Sequence, residues 1–239
     1  MSRLALGTVQ FGLTYGVANS AGKVNPEEVI RILKTARDHG VDTLDTAIAY
    51  GDAEQALGTA GVDGFHIVTK LPPLPEGVTD LRRWVVCEIE GSLQRLQVPS
   101  VDAVLLHRSQ DIIGPHFEAY QAGLADLKER GLCRATGVSI YAPSELETIW
   151  AHISGWRPDL VQAPYNVLDR RLLTSGWLDR LSHESVRVHT RSAFLQGLLL
   201  MAADKRPAYF APWADLLDRW TDWCREQTIS PLIAANAAS

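Results

Sequence analysis

The sequence is poor in cysteine, and this scarcity excludes two classes of protein. Its 239 residues include three cysteines, and no two of them form a CxxC pair. A disulfide framework and a cysteine-rich zinc site both need more cysteines at closer spacing. We therefore expect no bound metal and a reducing compartment. The three cysteines are Cys87, Cys133 and Cys224.

Long hydrophobic runs and basic runs are also missing. The longest charge-free apolar run, Ala193–Ala203, is far shorter than the roughly 20 residues of a membrane-spanning helix. Lys plus Arg number 23 against 28 Asp plus Glu, a formal net charge of −5, so neither nucleic acid nor a membrane is expected as a partner. No segment resembles an export signal, which predicts a soluble, cytoplasmic protein.

What the sequence does contain is a regular alternation of short apolar runs with amphipathic stretches. The short runs have the composition of buried parallel strands, and no linker divides the chain, so one domain over residues 1–239 is expected. The predicted strands are Leu4–Val9, Thr43–Thr46, His66–Lys70, Val101–His107, Arg134–Ser139, Leu160–Ala163 and Val186–Arg191. The predicted helices are Pro26–His39, Thr79–Leu96, His116–Arg130, Ser144–Ile153 and Pro212–Gln227, whose tryptophans are expected to pack inward. Such a βα array forms either an open doubly wound sheet or a (β/α)8 barrel.

Four polar side chains stand at or just after the ends of successive predicted strands. Asp45 ends the second strand with Tyr50 shortly after it, Lys70 ends the third, and His107 ends the fourth. In a parallel barrel those ends meet at the face where active sites are built. Each residue alone has an ordinary explanation as a cap, a solvated rim residue or a packed side chain. Four in order at successive strand ends are much harder to explain in that way.

The four side chains form a coherent set for acid–base chemistry. A buried lysine beside a tyrosine favours the phenolate, so Lys70 is expected to lower the pKa of Tyr50 towards neutrality. Asp45 would keep Lys70 charged and aimed, and a neutral His107 could donate a hydrogen bond to a carbonyl oxygen. Together they would make a proton donor for a carbonyl group that receives hydride.

The same residues lie within a longer set of ordered motifs. These are LALGTVQFG, GVDTLDTAIAYGDAEQALG, VTKL, LLHR, GVSI, VQAPYN and RSAFLQGLL. The set resembles the aldo-keto reductase family, whose fold is the (β/α)8 barrel. The resemblance implies NADPH-dependent carbonyl reduction, with NADH as the alternative cofactor. It also implies that Tyr50 is the general acid, Lys70 tunes it, Asp45 orients Lys70, and His107 positions the substrate carbonyl.

The resemblance assigns further positions to the cofactor. Ser139 and Gln162 match nicotinamide contacts, and Arg191 stands where many members stack an aromatic ring on the nicotinamide. A guanidinium plane can also stack on a ring. Ile140 replaces an Asn that is common after the Ser of GVS. The matching positions on the first loop and on the loop after the seventh strand are Gly7, Thr8, Ser192, Phe194, Gln196 and Gly197.

One departure from the family concerns the end of the sequence. Family members continue with a helix, an eighth strand and a basic segment that binds the adenosine 2′-phosphate, whereas no Lys or Arg follows Arg225 here. We therefore expect an α/β fold of the (β/α)8 TIM-barrel type, C-terminally shortened, that lacks the eighth strand and the last helix. Its open edge would expose unpaired backbone groups to self-association or to a partner chain. A truncated or frameshifted product, a natural short form and a cofactor site given up for another task all remain open.

Two functions are consistent with these observations. The first is an NAD(P)H-dependent oxidoreductase that reduces a small aldehyde or ketone, with Tyr50 as proton donor. The alternative is a reductase-like scaffold that has lost cofactor binding and acts as a binding or regulatory protein, or as a non-redox acid–base enzyme.

Overall fold

In the computed structural model, which describes residues 4–153 and 155–238, seven parallel strands form one curled sheet. The strands lie side by side in chain order, and each pairs in parallel with the next. Within the described ranges, no pairing joins the seventh strand to the first. The expected fold of the (β/α)8 type with seven strands is thus confirmed. The strands are β1 (Ala5–Gly7), β2 (Thr43–Asp45), β3 (His66–Leu71), β4 (Val101–Leu106), β5 (Cys133–Ser139), β6 (Leu160–Pro164) and β7 (Arg187–Arg191).

Helices connect the strands, and their starts follow from local capping. The Asn25 side chain accepts a hydrogen bond from the Glu28 backbone N–H, and Pro26 fills the first helical position. Asp80 accepts from the Arg83 N–H in the same way, so its helix begins later than the predicted Thr79. The helices are α1 (Val9–Gly12), α2 (Pro26–Asp38), α3 (Ala53–Ala60), α4 (Leu81–Leu96), α5 (Gln110–Ile113), α6 (Phe117–Glu129), α7 (Pro143–His152), α8 (Arg171–Thr174), α9 (Trp177–His183), α10 (Ala214–Glu226) and α11 (Pro231–Ala238). None of these helices is both long and apolar enough to cross a membrane.

The predicted and observed elements differ mainly at their ends. The first strand stops at Gly7 because the Thr8 N–H donates to the Asp45 carbonyl oxygen and Val9 already opens α1. The sequence predicts no element beyond Gln227, where the structure adds α11. Short helices such as α3, α9 and α11 escape prediction because they span too few turns to show an amphipathic period.

Buried apolar side chains form three clusters. A small one on the inner face of the sheet draws on β3 to β6, and the largest fills the space between strands and helices. The third, which we call the C-terminal cluster, lies under the segment after β7. It consists of Leu198, Leu199, Leu217, Trp220, Cys224, Ala234 and Ala235.

Helix α10 packs on the C-terminal cluster with only part of its apolar surface. Trp220 is 8% exposed and donates its indole N–H to the Leu199 carbonyl oxygen at 2.9 Å. Trp213 and Trp223 are 49% and 47% exposed. The expectation that the tryptophans of this segment pack inward is therefore right for Trp220 and wrong for the other two. The reason is that α10 contacts α11 and the turns after β7, which cover one side of it.

A contact between loops approaches the unpaired edges of β1 and β7. The Ala18 N–H donates to the Gln196 carbonyl oxygen at 3.2 Å. Gly197 has a φ of 90°, and a Cβ at this position would lie 2.5 Å from the Cβ of Ala18. Both its backbone angle and the close approach require glycine here. This contact holds the loop after β7 against the segment that follows α1.

Candidate active site

The four polar residues at the strand ends lie together. Asp45 ends β2, Lys70 lies near the end of β3, and His107 follows β4 directly. Tyr50 lies in the turn that leads from β2 into α3. Parallel strands bring their carboxyl ends to one edge of a sheet, so residues far apart in sequence meet there.

Lys70 is the centre of this group. Its side chain is 1% exposed, and its Nζ donates to both carboxylate oxygens of Asp45 at 2.8 and 2.9 Å and to the Thr46 carbonyl oxygen at 2.8 Å. The same Nζ lies 3.5 Å from the Tyr50 hydroxyl oxygen. Burial lowers the pKa of Lys70, and the adjacent Asp45 carboxylate opposes that shift.

Tyr50 behaves differently from the sequence-based expectation. Burial raises its pKa, and the negative charge of Asp45 raises it further. The expectation that Lys70 lowers this pKa towards neutrality is therefore wrong for the structure. The charge of Lys70 is already paired with Asp45, so little of it acts on the hydroxyl. Tyr50 consequently keeps its proton at neutral pH.

His107 packs edge-on against Tyr50. The two ring centroids are 5.7 Å apart, with an angle of 78° between the planes. Burial, followed by the charge of Lys70, lowers the pKa of His107 from 6.5 to about 4. The ring is therefore neutral at physiological pH and can donate one N–H, as the sequence predicts.

A hydrogen-bonded chain extends the group across the sheet. Gln162 on β6 donates its amide N–H to Asp45 at 2.7 Å, and the Ser139 hydroxyl on β5 donates to the Gln162 carbonyl oxygen at 3.3 Å. Both side chains are buried. The sequence motifs place these residues near the site, but nothing in the sequence indicates that Gln162 contacts Asp45.

A second buried carboxylate ties together the elements that carry Tyr50 and Lys70. Glu54 on α3 is 1% exposed and accepts hydrogen bonds from Thr69 at 2.7 Å and Ser92 at 2.6 Å. Arg95 on α4 donates to its other oxygen at 2.9 Å through Nε. Thr69 immediately precedes Lys70, so this network anchors β3 to both helices. The sequence predicts no such role for Glu54, because its partners lie on two other elements.

Comparison with known proteins identifies the family. A family model described as "Aldo/keto reductase family" matches residues 3–237. The chain belongs to the aldo-keto reductase family. The expected resemblance is thereby confirmed, and with it an assignment to the NAD(P)-dependent oxidoreductases.

Two curated relatives of this aldo-keto reductase are named as reductases. L-glyceraldehyde 3-phosphate reductase of Escherichia coli strain K12 is 30% identical over 205 residues, which cover 78% of this chain and 59% of that protein. Aflatoxin B1 aldehyde reductase member 2 of Rattus norvegicus is 30% identical over 205 residues, which cover 81% of this chain and 52% of that protein. The chain thus spans between half and three-fifths of the length of these relatives.

A solved structure shows the likeness of fold over nearly the whole chain. The glycerol dehydrogenase of Gluconobacter oxydans superposes with a TM-score of 0.72 at 24% identity. The superposition covers 98% of this aldo-keto reductase and 78% of the dehydrogenase.

The residues that the motifs assign to the cofactor divide into two groups in this aldo-keto reductase. Thr8 is buried and bonds the Asp45 carbonyl oxygen through both its N–H and its hydroxyl, so Gly7 and Thr8 lie directly beside the site. Arg191 and Ser192 follow at the end of β7. The remaining three lie farther along the loop after β7. Phe194 packs on the C-terminal cluster, while Gln196 and Gly197 contact Ala18.

Proposed function

We propose that this aldo-keto reductase reduces the carbonyl group of a small aldehyde or ketone with NAD(P)H, using Tyr50 as the proton donor. The observation that carries the proposal is the Lys70 ammonium group, which is bound to Asp45 and lies 3.5 Å from the Tyr50 hydroxyl. The neutral His107 ring against Tyr50 adds a second donor directed at the same space. The names of the two relatives, both reductases of aldehydes, support a carbonyl substrate.

The side chains divide the acid chemistry among them. When bound, the reduced nicotinamide supplies the hydride. Tyr50 holds its proton at rest because burial raises its pKa, and it gives that proton to the carbonyl oxygen as negative charge develops there. Lys70 stabilises the phenolate that remains, Asp45 holds Lys70 in place, and the neutral His107 donates a hydrogen bond to the same oxygen.

The donor set beside Tyr50 fits a nicotinamide. A carboxamide has one acceptor and two donor hydrogens, and Ser139 and Gln162 offer a hydroxyl and a side-chain amide that can pair with both. Arg191 offers a guanidinium plane for stacking on the ring. The residues proposed to bind the rest of the cofactor, NADPH or alternatively NADH, are Gly7, Thr8, Ser192, Phe194, Gln196 and Gly197.

The proposal extends to the setting of the protein. Cys87, Cys133 and Cys224 are all free thiols, which supports a reducing, cytoplasmic location. The strand edges of β1 and β7 without a partner strand in the described ranges support self-association or a partner chain at that flank.

The test is to replace Tyr50 with Phe and to use Tyr120→Phe as the matched control. Tyr120 is also buried, and its hydroxyl makes no hydrogen bond within the described part of the chain. We expect Tyr50→Phe to lower kcat for aldehyde reduction by about 10²- to 10⁴-fold, because it removes the general acid. NADPH affinity, followed by nicotinamide fluorescence, should stay close to that of the unmodified protein. Equal activities in the two variants would remove Tyr50 from the mechanism, and absence of nicotinamide binding would contradict the function as a whole.

A further inference from the structure

Arg191 carries a charge that no carboxylate neutralises in the part of the chain that the structure describes. Its guanidinium donates to the Ile140 carbonyl oxygen at 2.8 Å and to Ser192 Oγ at 3.4 Å. It also stacks on the Tyr141 ring, with its central carbon 4.4 Å from the ring centroid. These contacts use two of the five N–H donors of the group, so further donors remain for a ligand.

The charges around Arg191 are otherwise balanced. Lys70 is paired with Asp45, and His107 is neutral because its pKa is about 4. The nearby Asp169 carboxylate is held by Arg171, with contacts of 2.7 and 2.9 Å. The positive charge of Arg191 is therefore in excess. Placing a half-buried cation without a counter-charge is unfavourable, which makes an anion the natural ligand.

The position of Arg191 places this charge at the reaction site. It ends β7, beside the strand that carries Gln162, whose amide binds Asp45 at 2.7 Å. Its bond to the Ile140 carbonyl oxygen draws the guanidinium over the end of β5. Its charge also acts directly on Tyr50 and lowers the pKa of that hydroxyl against the larger effect of burial.

We infer that Arg191 binds a carboxylate or phosphate group of the substrate, on a short aldehyde or ketone whose carbonyl lies at Tyr50. This inference rests on the proposed function and adds the charge of the substrate to it. The planar fork of a guanidinium matches the oxygens of a carboxylate or phosphate. The Tyr141 ring and the Ile140 carbonyl hold the fork in place before the substrate arrives, which lowers the entropic cost of binding.

The test compares charged and neutral aldehydes of similar shape. With NADPH, kcat/KM is measured for succinic semialdehyde against butanal and for glyceraldehyde 3-phosphate against glyceraldehyde. We expect Arg191→Gln to lower the charged-to-neutral ratio by about tenfold or more, because a hydrogen-bonded ion pair is lost. Arg191→Lys should keep more of that ratio, since it keeps the charge.

Arg170→Gln is the matched control. Arg170 is another arginine stacked on an aromatic ring, 4.8 Å from the centroid of Tyr165, but its side chain is exposed. We expect this variant to leave the charged-to-neutral ratio unchanged. A ratio that stays unchanged in Arg191→Gln, with both aldehydes equally impaired, would overturn the inference and assign Arg191 to the cofactor alone.

A binding measurement separates this inference from the proposed function. Succinate, which cannot be reduced by this chemistry, is titrated by calorimetry into the unmodified protein and into Arg191→Gln, with near-ultraviolet circular dichroism to verify folding. If no aldehyde is turned over, the proposed function fails and succinate decides the inference alone. Binding that weakens in Arg191→Gln and persists in Arg191→Lys then supports the anion site. Equal binding by all three proteins, or none by the unmodified protein, overturns it.

Discussion

The flank of the sheet around β2, β3 and β4 and the flank around β7 and β1 are built in different ways. On the first, the buried Glu54 carboxylate joins a strand to two helices through hydrogen bonds of 2.6 to 2.9 Å. On the second, the described strands end in unpaired edges, and the adjoining C-terminal cluster leaves Trp213 and Trp223 half-exposed. One flank is closed by polar anchors, and the other remains accessible.

The difference follows the division of labour in the site. Lys70 and Tyr50, which must keep a distance of 3.5 Å, lie on the closed flank. Arg191 and the loop after β7, to which we assign ligand binding, lie on the open flank. Proton transfer requires a fixed geometry held by surrounding contacts, whereas a binding loop needs access to solvent. The comparison therefore predicts that substitutions on the two flanks have different consequences.

The largest effect on stability is expected from Glu54→Ala on the closed flank. Removing this carboxylate leaves Thr69, Ser92 and the Arg95 guanidinium without their partner, so the free energy of unfolding should fall by about 3–5 kcal/mol. Urea denaturation measures it. Asp222→Ala breaks an exposed ion pair with Arg225 on α10 and should cost no more than about 1 kcal/mol. Similar losses in the two variants would show that the closed flank is not specially anchored.

Two tryptophans on α10 divide the open flank into a packed and an unpacked side. Trp220→Ala removes a buried ring and its indole hydrogen bond, and we expect it to lower the free energy of unfolding by about 3 kcal/mol. Trp223→Ala should change stability by about 0.5 kcal/mol or less, because nearly half of that side chain is in water. Thermal denaturation of both proteins provides the measurement. A large loss from Trp223→Ala would indicate that another chain covers this face in solution.

The smallest expected effect is a pH dependence of stability from His107. The unfolded chain protonates this ring below about pH 6.5, whereas the folded chain protonates it only near its pKa of about 4. The unfolded state therefore binds more protons in that window, and the free energy of unfolding falls as the pH falls from 6.5 to 4. His107→Gln should flatten this slope. The exposed His116→Gln is the control, and parallel slopes in the two variants would contradict the origin that we assign to it.

The sequence predicts the four polar residues of the site because a simple rule places the ends of parallel strands together. It does not predict the raised pKa of Tyr50, since that depends on Asp45 lying close enough to pair with Lys70. The contacts of Glu54 and Gln162 are also unpredicted. Each joins side chains from separate elements, and their directions follow from packing rather than from any local pattern. The strand ends differ by a residue or so because hydrogen bonds such as that of Thr8 decide where pairing stops.

The hydrogen bond from Gln162 to Asp45 joins residues 117 positions apart in the chain. Asp45, Tyr50, Lys70 and His107 all precede β5, so a growing polypeptide can bring these four together before the second half of the sheet exists. The third donor to the Asp45 carboxylate arrives only when β6 docks. Contacts at such sequence separation form late because the intervening chain must first be ordered. The order of synthesis therefore assembles the acid first and tightens its carboxylate afterwards, in the same step that brings in the side chains proposed to face the nicotinamide.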